Sequence, residues 1–206
     1  CLVGSEMCIR DSRTRDLTPS ASTADRQGRL DPAASLQGGG AGRFLDFITG
    51  ELRQSVEAQL PDGMRILRRT LIGHSFGGLF TVNAVLTQPH AFDDFIAADP
   101  SFWWDQRRLI QKAAADGLGD KAAAGPGRRL YLGFATKPRQ DRTGSAERPA
   151  AGARLSADPL VSDFIGKLQS QGMQVRRQDF PDEVHGTVMF PALFDALKHF
   201  YTRELS

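Results

Sequence analysis

The sequence predicts an α/β fold, in which a mostly parallel β-sheet is flanked by helices. Short apolar runs alternate along the chain with helical patterns, which is the order that parallel strands joined by helical crossovers produce. One junction between a predicted strand and a predicted helix contains the pentapeptide Gly73-His74-Ser75-Phe76-Gly77. Other reactive side chains also follow predicted strands, so they should gather at the carboxyl edge of the sheet.

Length and composition indicate one ordinary globular domain. The chain has 206 residues, a net charge of +2 and 40% hydrophobic residues. Its basic residues are spread along the chain and do not alternate with aromatic ones, so we expect no nucleic-acid partner. No apolar run approaches the length of a membrane span. The sequence indicates neither the oligomeric state nor the compartment, and bacterial cytoplasm and periplasm both stay open.

The N-terminal part of the chain has few signals of regular structure. Residues 1–12 show neither periodicity nor helix caps, and we interpret them as a non-native tract that precedes a single domain at 13–206. Residues 13–42 are polar and rich in glycine, which predicts a loop. From Arg43 onward a helix is predicted, with one apolar face formed by Phe44, Leu45, Ile48, Leu52, Val56 and Leu60.

The rest of the chain alternates between strands and helices. The predicted strands cover 66–72, 95–98, 130–135 and 175–180. Helices are predicted at 76–87, through Leu109 and Ile110, from Asp158 to Gly172, and at the C-terminus, where the apolar face comprises Phe190, Leu193, Phe194, Leu197, Phe200 and Tyr201. Asp158 followed by proline is typical of a helix N-cap. Residues 136–154 are polar and predict a loop.

The pentapeptide at 73–77 has the form G-x-S-x-G and the strand–turn–helix context of a nucleophile elbow. Such a turn is so tight that the serine takes a strained backbone conformation, and flanking glycines let the strand and the helix approach each other. The hydroxyl of Ser75 is then exposed at a helix N-terminus. There the backbone N–H of Phe76 and the helix dipole can stabilise an oxyanion. The alternative is a chance match to a short pattern.

A serine nucleophile needs a base that removes its proton, and His185 is the candidate. It lies in a loop between the last strand and the closing helix, so that the nucleophile precedes the base along the chain. His74 is adjacent to Ser75 and points away from it, so we expect a packed or hydrogen-bonded neighbour that borders the substrate site. His90 is expected at the surface, and His199 is expected to be structural.

The carboxylate that would orient the imidazole of His185 is not fixed by the sequence. Asp141 is the first carboxylate after the strand at 130–135 and is our candidate for this role. The other carboxylates within range are Glu147, Asp158, Asp182 and Glu183. Capping explains Asp158, and the two residues next to His185 are expected to hydrate or tune it. A Ser–His dyad without a carboxylate also stays open.

Five segments resemble the Putative esterase family of α/β-hydrolases, which includes esterase D, the mycolyltransferase antigens, feruloyl esterases and siderophore esterases. They are RTRDLTP at 13–19, GGGAGRFL at 38–45, GHSFGGLF at 73–80, DPSFWWD at 99–105 and FPDEVHGTV at 180–188. Together they extend over nearly all of residues 13–206. The likeness is strongest to the siderophore-esterase-like branch of predicted hydrolases.

The resemblance implies an α/β-hydrolase fold with Ser75 as nucleophile and His185 as base. It also implies that Trp103 and Trp104 border the substrate site, for which core packing is the alternative. That fold has several strands before the elbow, but only a loop and one helix precede the strand at 66–72. We therefore expect residues 13–206 to be the C-terminal portion of an N-terminally truncated domain, with no second oxyanion donor assigned.

These patterns predict a serine hydrolase that cleaves carboxylic esters without a metal or an organic cofactor. The expected partner is a small-molecule ester, either siderophore-like or another bulky acyl ester. One alternative is an acyltransferase of the same fold, in which an alcohol replaces water as the acceptor. The other alternative is a catalytically inactive fragment or binding module.

Overall fold

The computed structural model describes residues 12–23, 37–116, 127–140, 147–148 and 151–202. Its strands are β1 Ala21–Ser22, β2 Gln37–Gly38, β3 Thr70–His74, β4 Asp94–Ala98, β5 Arg129–Ala135, β6 Arg139–Gln140, β7 Glu147–Arg148 and β8 Gln174–Phe180. Strands β3, β4, β5 and β8 form, in that order, a parallel sheet. The two remaining pairs, β1 with β2 and β6 with β7, are short and antiparallel. The predicted fold class is confirmed.

Helices cover both faces of the sheet. They are α1 at 12–17, α2 Ala41–Phe47, α3 Arg53–Glu57, α4 Phe76–Thr87, α5 Arg108–Asp116, α6 Ala151–Ser156, α7 Pro159–Ser170 and α8 Met189–Tyr201. Apolar residues of α2, α4, α5 and α7 build the larger core on one face. A smaller core lies between the other face and α8. Each crossover from one strand of the parallel sheet to the next carries a helix, as parallel connections require.

The buried face of α8 is narrower than the sequence predicts. It consists of Ala192, Ala196 and Phe200, whereas Phe190 and Phe194 are 64% and 61% exposed. A Cβ placed on Gly133 of β5 would come within 2.9 Å of the Ala192 Cβ, so α8 lies very close to the sheet. Beside Gly133 only a small side chain fits, and Phe190 and Phe194 of the predicted apolar face lie at the surface instead of in the core. Within the described ranges, no helix has the length and apolarity needed to cross a membrane.

Other parts of the chain also differ from the predictions. The segment predicted as a loop at 13–42 contains most of α1, all of β1 and β2, and the start of α2. Strand β3 begins at Thr70 instead of residue 66, because Thr70 pairs with the first residue of β4. A π-helical turn at Ile48–Leu52 shifts the helical face, and Leu52 and Val56 are 40% and 51% exposed instead of buried. The segment predicted as a loop at 136–154 contains β6, β7 and the start of α6.

A buried carboxylate ties the last helix to the amino end of the sheet. Asp94 accepts two hydrogen bonds each from Arg68 (2.9 and 2.8 Å) and Arg129 (2.6 and 3.0 Å). The Tyr201 hydroxyl donates to the same carboxylate at 2.6 Å. Burial raises the pKa of Asp94, but the hydrogen bonds from the two arginines outweigh it and hold the pKa at about 2. Asp94 is therefore ionised at neutral pH.

Candidate active site

Ser75 lies at the turn between β3 and α4, with φ 61° and ψ −118°. This positive φ is unusual for a residue with a side chain, and the turn that produces it also needs Gly73. A Cβ on Gly73 would come within 2.0 Å of the carbonyl oxygen of Gly77. The Ser75 N–H donates to the carbonyl of Ala98 at 3.1 Å, which fixes the turn against β4. The structure thus has the strand, tight turn and helix that the sequence predicts, with Phe76 as the first residue of α4.

The imidazole of His185 reaches Ser75 from the loop between β8 and α8. Its Nε2 lies 3.0 Å from the Ser75 Oγ, although the two residues are 110 positions apart. The side chain of His185 is 47% exposed, so one side of the pair is open to solvent. The topology explains the meeting, because β3 and β8 are parallel and both end at the same edge of the sheet.

His74 holds the main chain of His185 beside the elbow. Its Nε2 lies 2.7 Å from the carbonyl oxygen of His185, and a carbonyl only accepts, so His74 donates. The two imidazole rings are 4.7 Å apart between centroids. Burial lowers the pKa of His74, and repulsion from His185 lowers it further, so His74 is neutral at neutral pH. His74 is therefore a hydrogen-bonded neighbour of Ser75, as the sequence analysis favours.

Asp99 is the carboxylate that contacts the other nitrogen of His185. Its Oδ2 lies 2.6 Å from the His185 Nδ1, and the Asp99 side chain is 4% exposed. Asp99 follows directly after β4 and has φ 43°, a left-handed conformation that turns the chain sharply. Its backbone N–H donates to the carbonyl of Gly133 at 2.7 Å, and its Oδ1 accepts from the Ala135 N–H at 3.3 Å. Strand β5 thus holds both the backbone N–H and the carboxylate of Asp99.

Helix α6 packs closely against Asp99. Gly152 of this helix comes so close that a Cβ would lie 2.2 Å from the carbonyl oxygen of Ala135 and 2.6 Å from the Asp99 Oδ1. Only glycine permits this approach. With only 4% of its side chain exposed, Asp99 is largely withdrawn from solvent.

The sequence analysis does not consider Asp99 as a partner of His185. Asp141 lies outside the described residues, so its role stays an untested prediction. Asp158 caps α7, as predicted, by accepting from the Leu160 N–H at 3.0 Å. A usable signal is present in the sequence, because Asp99 follows its strand just as Ser75 does. In the described parts of the chain, no group of three or more His, Cys, Asp or Glu side chains is placed to hold a metal ion.

An aromatic cluster adjoins Ser75. The Phe76 ring contacts those of Trp103 and Trp104 at 5.6 and 5.3 Å between centroids. Trp104 is only 7% exposed, and its indole N–H donates to the carbonyl of Ser20 at 2.9 Å. Trp103 is half-buried. Trp104 therefore packs in the core, and Trp103 is the member of the pair with surface left for a ligand.

A model of an esterase family, described as "Putative esterase", matches residues 18–154. The chain belongs to this esterase family. Its matched segment includes the elbow at Ser75 as well as Asp99, and His185 lies beyond it.

Several known proteins are similar to the chain over most of its length. It is 34% identical over 164 residues to the siderophore enterobactin esterase of Emericella nidulans, which covers 75% of this chain and 54% of that protein. An IroE-like serine hydrolase from Shewanella oneidensis has a similar structure, with a TM-score of 0.64 and 29% identity over 91% of this chain and 56% of that one. For the siderophore hydrolase EstB of Aspergillus nidulans, the TM-score is 0.67 and the identity 27%, over 93% and 65% of the two chains. The chain thus spans about half the length of the first curated relative.

Proposed function

We propose that this chain carries the catalytic site of a serine carboxylic-ester hydrolase. The observation that carries the proposal is the continuous series of contacts from Ser75 Oγ to His185 Nε2 at 3.0 Å and from His185 Nδ1 to Asp99 Oδ2 at 2.6 Å. A hydroxyl, an imidazole and a buried carboxylate in this order are the groups that activate a serine nucleophile. Similarity to named esterases and hydrolases supports the reaction class.

Each member of the series has one role in the proposed reaction. Ser75 Oγ attacks the ester carbonyl carbon while its proton passes to His185 Nε2. The Asp99 carboxylate accepts the Nδ1–H and stabilises the imidazolium that forms. The carbonyl electron pair moves onto the oxygen, where the Phe76 N–H and the N-terminus of α4 stabilise it. His185 then protonates the departing alcohol, and water releases the acyl group by the same steps.

The substrate that we propose is a bulky ester of the siderophore type. The relatives named for siderophore or enterobactin hydrolysis motivate this class. The half-buried Trp103 next to Phe76 offers an aromatic surface on which a planar acyl group can stack. Because no observation favours an alcohol as acceptor, and the Ser75–His185–Asp99 series is intact, neither the acyltransferase nor the inactive module is put forward.

A fluorophosphonate probe and an ester assay test this proposal on the full chain. We expect the probe to label the wild type, and labelling to vanish in Ser75→Ala. His185→Ala should lower ester turnover by several orders of magnitude. The matched control is His90→Ala, because His90 is exposed at the end of α4 opposite to the elbow. Absence of labelling in a folded wild type, or normal turnover in His185→Ala, would remove the proposal.

The substrate class needs its own measurement. Incubation with a cyclic catecholate tri-ester such as enterobactin should yield hydrolysed monomers and linear oligomers by mass spectrometry. Trp103→Ala should weaken turnover of this substrate more than turnover of a 4-nitrophenyl acetate. Equal losses for both esters would argue against a stacking role for Trp103.

A further inference from the structure

A second serine lies beside the proposed nucleophile. Ser101 follows β4 and is 3% exposed. Its Oγ lies 3.2 Å from the Ser75 Oγ, and its backbone N–H donates to the Ser75 carbonyl at 3.1 Å. Both the side chain and the main chain of Ser101 therefore contact Ser75. The Ser101 hydroxyl is therefore within hydrogen-bonding distance of the Ser75 Oγ, the atom that would attack the ester.

The direction of the hydrogen bond between the two serines follows from the neighbouring contacts. An ionised carboxylate only accepts, so His185 Nδ1 donates to Asp99. In the neutral imidazole the Nε2 then accepts, and the hydrogen it accepts is that of the Ser75 hydroxyl. Since a serine has one hydroxyl hydrogen, Ser75 has none left for Ser101. Ser101 is therefore the donor in the contact between the two oxygens.

We propose that Ser101 is a further catalytic residue, which donates a hydrogen bond to the nucleophilic oxygen of Ser75. This inference rests on the proposed function of the same site. Before the reaction, the bond holds the Ser75 side chain in the rotamer that faces His185. The bond occupies one lone pair of the Ser75 oxygen and leaves the other for attack on the carbonyl carbon.

The same donor acts when the acyl group is released. Water attacks the acyl carbon and gives one proton to His185 Nε2, and the bond between that carbon and the Ser75 Oγ then breaks. The electron pair of this bond returns to the oxygen, which takes the proton from His185. The Ser101 hydroxyl stabilises the negative charge that develops on the departing oxygen and keeps its own proton throughout.

The test compares Ser101→Ala with Ser156→Ala in the full chain. Ser156 is equally buried, at 3% exposure, and its hydroxyl donates to Asp179 instead of the proposed catalytic series. We expect Ser101→Ala to lower both the rate of fluorophosphonate labelling and the kcat for a 4-nitrophenyl ester about tenfold, as loss of one hydrogen bond to a reacting atom does. KM should change little, and Ser156→Ala should keep both rates within about twofold.

A purely structural role for Ser101 predicts another pattern, in which thermal stability falls and both rates of the folded enzyme stay at the wild-type level. That result would overturn the proposal. Ser101→Cys keeps nearly the same volume but offers a weak donor, so it should share the loss of rate even if the alanine variant fails to fold.

A crystal structure separates this inference from the proposed function. If the wild type neither labels nor hydrolyses esters, the proposed function fails, and the orientation of the Ser75 side chain still tests the hydrogen bond from Ser101. We expect one Ser75 conformer facing His185 in the wild type and at least one additional conformer in Ser101→Ala. An unchanged single conformer in the variant would overturn the inference.

Discussion

Substitution of Gly152 by alanine should disturb the site from behind Asp99. The new Cβ would lie 2.2 Å from the Ala135 carbonyl oxygen, whereas ordinary contacts begin at 3.4 Å. Either α6 must retreat by about 1.2 Å or the end of β5 must move, and such overpacking costs roughly 1–3 kcal/mol. For a chain of this length a loss of about 2 kcal/mol lowers the Tm by roughly 6 °C. Because Asp99 lies 2.6 Å from the same Cβ, His185 should also lose its alignment.

The assay for Gly152→Ala measures ester turnover and thermal unfolding in parallel with Gly166→Ala. Gly166 lies inside α7, and a Cβ there would meet nothing within 4 Å. This control should keep its activity and gain about 0.5–1 kcal/mol, as alanine does in a helix interior. Displacement of a catalytic group by about 1 Å costs on the order of 100-fold, and we expect kcat/KM of Gly152→Ala to fall by about that factor. Wild-type activity and Tm in Gly152→Ala would show that α6 does not pack against Asp99.

Substitutions at three further positions probe other contacts. Asp99→Asn should lower kcat on the order of 10³–10⁴-fold without unfolding the protein, because an amide cannot stabilise the imidazolium of His185. Steady-state kinetics measure this loss, and a loss below about tenfold would favour a Ser–His dyad. Asp94→Asn should lower the free energy of unfolding by roughly 3–5 kcal/mol in denaturant titrations, since Arg68 and Arg129 lose their buried partner, and an unchanged midpoint would contradict the ion pair. The pKa of Asp94 is about 2 in the folded state and 3.8 in an unperturbed carboxyl. Wild-type stability should therefore drop by about 1.8 kcal/mol as the pH falls from 4 to 2, a contribution that the Asn variant should lack. His74→Gln keeps a donor for the His185 carbonyl, so its kcat should stay within a few-fold of the wild-type value. His74→Phe has no such donor, and its kcat should fall about tenfold. Equal kcat values in the two variants would exclude a positioning role for His74. The pKa of His74 is lowered by folding, so the unfolded chain binds more protons at low pH, and wild-type stability should fall more than that of His74→Gln when the pH is lowered from 7 to 5 in denaturant titrations.

The sequence predicts the sheet and the turn at Ser75 because both depend on local patterns. Apolar runs mark β3, β4 and β5, and flanking glycines mark the turn. The proximity of His185 to Ser75 also follows from these patterns, because the parallel strands that precede both residues end at the same edge of the sheet. His185 could therefore be placed near Ser75 without knowledge of the contacts between them.

The features that the sequence does not reveal depend on contacts between distant segments. The position of Asp99 after its strand is a sequence signal, but its pairing with His185 depends on contacts with β5 and α6, and Gly152 has no local signal for a close approach. Helical periodicity places Phe190 and Phe194 on an apolar face, but α8 lies so close to Gly133 that Ala192 fills that position and the two phenylalanines stay exposed. Periodicity indicates which side chains share a face, and packing distance decides which of them that face can bury.

The 110 positions between Ser75 and His185 have a consequence for the order of events during folding. A long segment must close before the imidazole reaches the hydroxyl, and closure of such a segment costs conformational entropy that short-range contacts do not repay. Reactivity toward an active-site probe would consequently arise only when β8 has joined β5. Time-resolved labelling of a refolding sample can thus report on the last strand of the sheet, whereas circular dichroism reports on the early helices.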